Sequence, residues 1–71
     1  MATKKILLYT AENGKSQSFE IRDGGKGVGF YLFVYENGKC IWDDLQDTLE
    51  CVKQIALEDY GVPESAWQKI K

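Results

Sequence analysis

The tetrapeptide Glu-Asn-Gly-Lys occurs twice, as Glu12-Asn13-Gly14-Lys15 and as Glu36-Asn37-Gly38-Lys39, each time between runs rich in apolar residues. Asn-Gly in that setting is the strongest short-range signal for a β-hairpin, because a two-residue type I′ turn needs positive φ at both central positions. Folding the chain about Asn13-Gly14 sets Glu12 opposite Lys15, Leu8 opposite Phe19 and Ile6 opposite Ile21. The apolar members of those pairs then share one face, since side chains alternate along a strand. Folding about Asn37-Gly38 sets Glu36 opposite Lys39, Tyr35 opposite Cys40, Val34 opposite Ile41 and Phe33 opposite Trp42. Opposite charges directly across a strand pair contribute about 0.2–1 kcal/mol. The repeated segment therefore reads as a hairpin cap used twice rather than as a binding motif.

Between the hairpins lies Arg22-Asp23-Gly24-Gly25-Lys26-Gly27-Val28-Gly29. A dinucleotide fingerprint started at Gly25 reaches Gly27 and then Phe30, where its last glycine belongs. A P-loop started at Gly24 reaches Gly29 and then Phe30 and Tyr31, in place of Lys and Ser/Thr. Both motifs need a following helix to hold the phosphate, and the residues that follow, FYLFVY, are strand-forming. The segment reads as a flexible connection or a bulged strand entry.

After Trp42 the period changes. Asp43 and Asp44 offer a helix N-cap with Gln46 close behind, and Leu45, Leu49, Val52, Ile55, Ala56 and Tyr60 fall on one helical stripe. Gly61 suits the left-handed residue after a helix, and Pro63 stops it. The tail from Pro63 predicts a short helical turn with Trp67 and Ile70 packing back. The expected fold is α+β over residues 1–71 as a single domain. It consists of an antiparallel sheet of two hairpins in the order ββββα, packed on one face by a helix from about Asp44 to Tyr60. A plain meander is the simplest strand order.

Function classes narrow by what the chain lacks. There is no histidine among its 71 residues, which removes the commonest general base and metal ligand and the usual partner of a nucleophilic Ser or Cys. Cys40 and Cys51 match neither a zinc spacing nor a disulfide framework, and without an export signal they read as reduced thiols in the cytoplasm. No apolar run reaches the roughly 20 residues needed to span a bilayer. Asp43-Asp44-Leu45-Gln46-Asp47 has the spacing of a carboxylate magnesium site. No second acidic motif opposes it, and aspartates at a helix start cap it and complement its dipole. An enzyme using these carboxylates ranks last, and no cofactor is expected. Net charge is −2, with a mild basic excess through Trp42 and an acidic excess from Asp43 onward.

A helix covers one side of a small sheet. With Ile6, Leu8, Phe19, Ile21, Phe30, Leu32, Val34 and Ile41 facing it, the reverse presents Leu7, Tyr9, Tyr31, Phe33, Tyr35, Cys40 and Trp42. An open apolar patch on a soluble chain marks an interface, and Tyr and Trp are what interface cores favour. Tyr9, Tyr31, Phe33, Tyr35 and Trp42 are the candidate interface, for a second copy of the chain (a homodimer) or for another protein. The alternative is that the fold covers this side itself, by curling or with Trp67. Single-stranded nucleic acid is a further alternative, since aromatic sheet faces stack bases. It is weakened by sparse basic residues, of which Lys5, Arg22 and Lys26 are placed to edge the patch. Asp47, Glu50, Gln54 and Glu58 lie on the opposite side of the expected helix; Asp47, Glu50 and Glu58 form a candidate acidic docking face, which would act mainly on encounter rate and specificity. Cys51 lies toward that side, where carboxylates disfavour a reactive thiolate. No family motif carries over residue by residue. The ending, an acidic helix followed by YGVPESAW, resembles small bacterial proteins, toxin-immunity proteins among them, and gives no residue a role.

Overall fold

The computed structural model describes residues 6–14 and 16–70. Four strands follow one another, β1 Ile6–Asn13, β2 Gln17–Asp23, β3 Phe30–Glu36 and β4 Lys39–Gln46. The helix α1 spans Leu49–Tyr60, a single 3₁₀ turn spans Glu64–Ala66, and a two-residue strand, β5 Gln68–Lys69, follows. The strands form one antiparallel sheet in the order β4-β3-β2-β1-β5. The α+β fold and the meander expected from the hairpin signals are both present. β5 is an addition, since two polar residues carry no strand pattern. No helix among the described residues is long and apolar enough to cross a membrane.

The core lies between the sheet and α1. Phe19 and Ile21 of β2, Leu32 and Val34 of β3, and Val52 and Ala56 of α1 are fully buried, with Val62 and Ala11 beside them. Leu49, Ile55 and Tyr60 complete the helical stripe, and Trp67 closes the end of the core against the Phe19 ring, 6.5 Å between centroids. Burying side chains of this size contributes about 1.5–3 kcal/mol each. Phe19, Ile21, Leu32 and Val34 all have a predicted place on the helix-facing side, and the helix chooses the face that the pattern assigned to it.

Three local expectations are corrected. First, the β1–β2 turn is not a two-residue turn. Asn13 pairs with Gln17, so residues 14–16 form the connection, and Ala11 rather than Leu8 stands opposite Phe19. A bulge at Leu8 then shifts the phase again, and Ile6 is 65% exposed. Lys15, expected opposite Glu12, and Lys5, expected at the patch edge, lie outside the described residues. Second, the β3–β4 hairpin starts as expected, with Glu36 opposite Lys39 and Tyr35 opposite Cys40, but Ile41 is an extra residue in β4. From there Val34 faces Trp42 and Phe33 faces Asp43. Ile41 is therefore not in the core. Third, α1 begins at Leu49 and not near Asp44. β3 offers backbone partners along its whole length, and β4 must run to Gln46 to reach Phe30. The N-cap is Thr48, whose Oγ1 accepts the Cys51 N–H at 3.1 Å. The C-terminal end is as expected, with Gly61 at φ 73° and its N–H bonded to the Leu57 carbonyl. Ile70 does not pack into the core. Its N–H donates to the Leu8 carbonyl at 2.8 Å, holding the tail on β1.

Candidate interaction surface

Cross-strand partners share a face, so the register draws the open side of the sheet as a lattice. One row runs Leu7, Arg22, Tyr31, Leu45; the next Thr10, Glu20, Phe33, Asp43; the third Glu12, Ser18, Tyr35, Cys40. The core residues of α1 all lie on the other face. β3 thus carries an aromatic column, and the Tyr31 and Phe33 rings stack at 5.7 Å between centroids with an interplanar angle of 22°. Stacking on the same strand is allowed because residues two apart stand side by side on one face.

The column is fastened by β2. The Tyr35 hydroxyl donates to Glu20 Oε1 at 3.0 Å, and Arg22 Nε donates to the same oxygen at 2.9 Å. Partial burial, followed by the hydrogen bond to Glu20 and its negative charge, pushes the Tyr35 phenol above its ordinary value of 10.0. Glu20 is a residue that sequence reasoning does not single out. The signal is present in the alternation Phe19-Glu20-Ile21-Arg22, which sends Glu20 and Arg22 to the face opposite the core.

Tyr31, Phe33 and Tyr35 thus sit together where the pattern puts them, and Tyr9 and Trp42 do not. Tyr9 pairs with Ile21, packs against the core and receives Lys53 Nζ over its ring at 4.4 Å. The three-residue turn puts it there, since Tyr9 keeps the register of Asn13 with Gln17 and the bulge at Leu8 lies beyond it. Trp42 pairs with Val34 on the helix side, displaced by the extra Ile41. It lies on an edge strand and remains 57% exposed, with Ile41 at 48% and Leu45 at 43%. Exposed large apolar side chains are thus concentrated on β4.

The expected acidic face is divided. Glu50 and Glu58 are exposed on α1, with Gln54 bonded to Glu58, whereas Asp47 lies in the bend before the helix. There it adjoins the glycine-rich connection, where Gly29 comes so close that a Cβ would stand 2.3 Å from the Gln46 carbonyl oxygen and 3.4 Å from the Asp47 Cα. The aspartates of the DDLQD segment are dispersed. Asp43 is on the open face, and Asp44, on the other, accepts from the Leu45 N–H and the Gln46 amide. No group of three or more metal-binding side chains gathers among the described residues. The glycine-rich connection is closed by its own backbone, with Gly24 N–H to the Gly29 carbonyl at 2.8 Å, and it leads into β3 rather than a helix. Cys40 and Cys51 are both exposed free thiols.

Compared with protein families, with curated proteins and with solved structures, this chain matches none.

Proposed function

We propose that the protein is a small non-catalytic binding module that holds another protein against its open sheet face. The observation that carries this reading is the stacked Tyr31–Phe33 pair, standing on the face opposite the helix with Tyr35 and Leu45 beside it. Half-buried aromatic rings beside a polar rim have the composition of an interface core. Glu20 and Arg22 hold the column in place, so little side-chain entropy is lost on docking. The module works in the cytoplasm, where Cys40 and Cys51 stay reduced.

The test is affinity capture with the immobilised chain, followed by titration of the retained protein against wild type and Phe33→Ala. A hot spot loses about 2 kcal/mol, roughly a thirtyfold fall in affinity. Phe33→Ala that lowers the unfolding midpoint but leaves the affinity unchanged would overturn the reading. Fluorescence anisotropy with single-stranded oligonucleotides at low salt tests the competing class. Tight binding that falls steeply with added salt would transfer the aromatic column to base stacking. The ion pairing of Arg22 with Glu20 and the net charge of −2 stand against that outcome.

A further inference from the structure

The two edges of the sheet are unlike each other. On one side β5 is two residues long, a short edge of the kind that resists further pairing. On the other, the eight residues of β4 have no further strand paired to their outer side among the described residues. The Leu45 N–H is met only by the neighbouring Asp44 carboxylate, and Ile41, Trp42 and Leu45 are exposed along the edge. Such an edge is a template for another strand.

We infer that β4 pairs antiparallel with β4 of a second copy of this chain, about a two-fold axis perpendicular to the sheet between Ile41 and Trp42. The choice of partner rests on two constraints, face and charge. Residues that meet across an edge must lie on the same face of the joined sheet. Lys39, Trp42 and Asp44 lie on the helix side, opposite Glu36, Val34 and Leu32, while Cys40, Asp43 and Leu45 lie on the open side. In a regular strand Lys39 and Asp44, five apart in sequence, point to opposite faces. The extra residue Ile41 brings them to the same face.

In the proposed register Lys39 of each copy stands opposite Asp44 of the other, and Cys40 opposite Asp43, with Ile41 and Trp42 meeting at the centre. Every flanking pair is matched in face, and two opposite-charge pairs form. Registers centred on Ile41 or Trp42 set open-side residues against helix-side ones. The one centred on Asp43 sets Cys40 against Gln46, on opposite faces, and both it and the one centred on Asp44 place aspartate against aspartate, which is destabilising. Sliding to put Lys39 opposite Gln46 sets Trp42 against Asp43, on opposite faces. The two-fold joins both open faces on one side, so the aromatic columns of the two copies flank the seam. A seam of this size falls at the small end of specific interfaces, so the dimer dissociates on dilution.

The test is sedimentation over a hundredfold concentration range for wild type, Lys39→Glu, Asp44→Lys and an equimolar mixture of the two variants. Each variant alone sets like charges together at both pairs, and its dimer dissociation constant rises roughly tenfold or more. In the mixture the introduced glutamate of one variant meets the introduced lysine of the other, and the retained Asp44 of the first meets the retained Lys39 of the second. Hetero-association then returns toward the wild-type value; a purely structural effect of either change gives no such rescue. Unfolding midpoints are measured alongside. If Asp44→Lys does not fold, Lys39→Glu compared with Lys39→Arg carries the test: the first weakens the dimer and the second does not. A strict monomer at all concentrations overturns the inference. So does a dimer indifferent to the charge changes, or one lost in Phe33→Ala and kept in both charge variants. The last outcome would assign self-association to the open face instead.

Discussion

The two Glu-Asn-Gly-Lys segments share a sequence and differ in backbone. In the second, Asn37 and Gly38 take φ of 54° and 81°, and Glu36 pairs directly with Lys39 across a two-residue turn. In the first, Asn13 stays in β1, and Gly14 alone of the Asn-Gly pair has positive φ. The strand residues leading into the two segments show the consequence. Ala11 points to the helix and is buried, while Tyr35 points to the open face. The cause lies outside the tetrapeptide. Asn13 Nδ2 donates to the Tyr60 carbonyl at 2.7 Å, at the end of the helix. Ala11 is small, and the Phe19 ring opposite it receives Tyr60 at 5.5 Å and Trp67 at 6.5 Å. A net hydrogen bond of about 1 kcal/mol and aromatic burial of about 1.5–3 kcal/mol per side chain exceed any local preference for the tighter turn. Tertiary packing selects between two turns that the tetrapeptide permits.

The strongest way to break that account is to fill the space. Ala11→Leu restores a large residue opposite Phe19, as a two-residue turn would have done with Leu8. It should destabilise by about 1–3 kcal/mol through overpacking, read as a lower midpoint in urea with altered Trp67 fluorescence. A loss below about 0.5 kcal/mol, the range of an ordinary surface change, would show that the Phe19 site does not set the first turn. Next in size are the two asparagines. Asn13→Ala removes the bond to Tyr60 and should cost about 1 kcal/mol. Asn37→Gly keeps the left-handed backbone available and should stay within about 0.5 kcal/mol of wild type. Equal losses at both sites would erase the distinction.

What can be read in the sequence follows the same division. The β3–β4 turn, the buried quartet Phe19, Ile21, Leu32 and Val34, and the glycine stop at Gly61 are each written in a short stretch. The bulges at Leu8 and Ile41 are not, because one extra residue leaves the apolar pattern almost unchanged while it reverses the face of everything beyond it. This is why the pattern places Tyr31, Phe33 and Tyr35, close to the well-signalled turn, on the open face where they stand, and misplaces Tyr9 and Trp42, beyond a turn change and a bulge. The helix start is hidden by Leu45, whose spacing from Leu49 imitates a helical stripe while its backbone belongs to β4. The β4 edge is invisible until Ile41 is known to be extra.

A third difference is carried by salt. Glu36 and Lys39 face each other directly, whereas Glu12 pairs with Ser18. Glu36→Gln should therefore cost about 0.2–1 kcal/mol in dilute buffer, and much less in molar salt, where the screening length falls to about 3 Å. Glu12→Gln should show no such salt dependence. Paired denaturant titrations at the two ionic strengths read both variants.

The smallest effect separates the hairpins by pH. Tyr35 is raised above its ordinary value of 10.0 chiefly by partial burial, then by its bond to Glu20 and the charge there; Ala11, its counterpart in the first hairpin, has nothing to titrate. In the unfolded chain the phenol ionises near its ordinary value, while the folded chain still holds the proton. The folded state then binds more protons, so stability declines as pH rises from about 10. Glu20→Gln removes the charge but leaves the burial, so the phenolate absorbance of Tyr35 should shift only part of the way back. Tyr35→Phe serves to identify the titration among the four tyrosines of the chain. A Tyr35 that ionises like a free phenol, before and after Glu20→Gln, would mean that its ring does not lie against Glu20. The opposed phases of Ala11 and Tyr35 would then lose their solution signature.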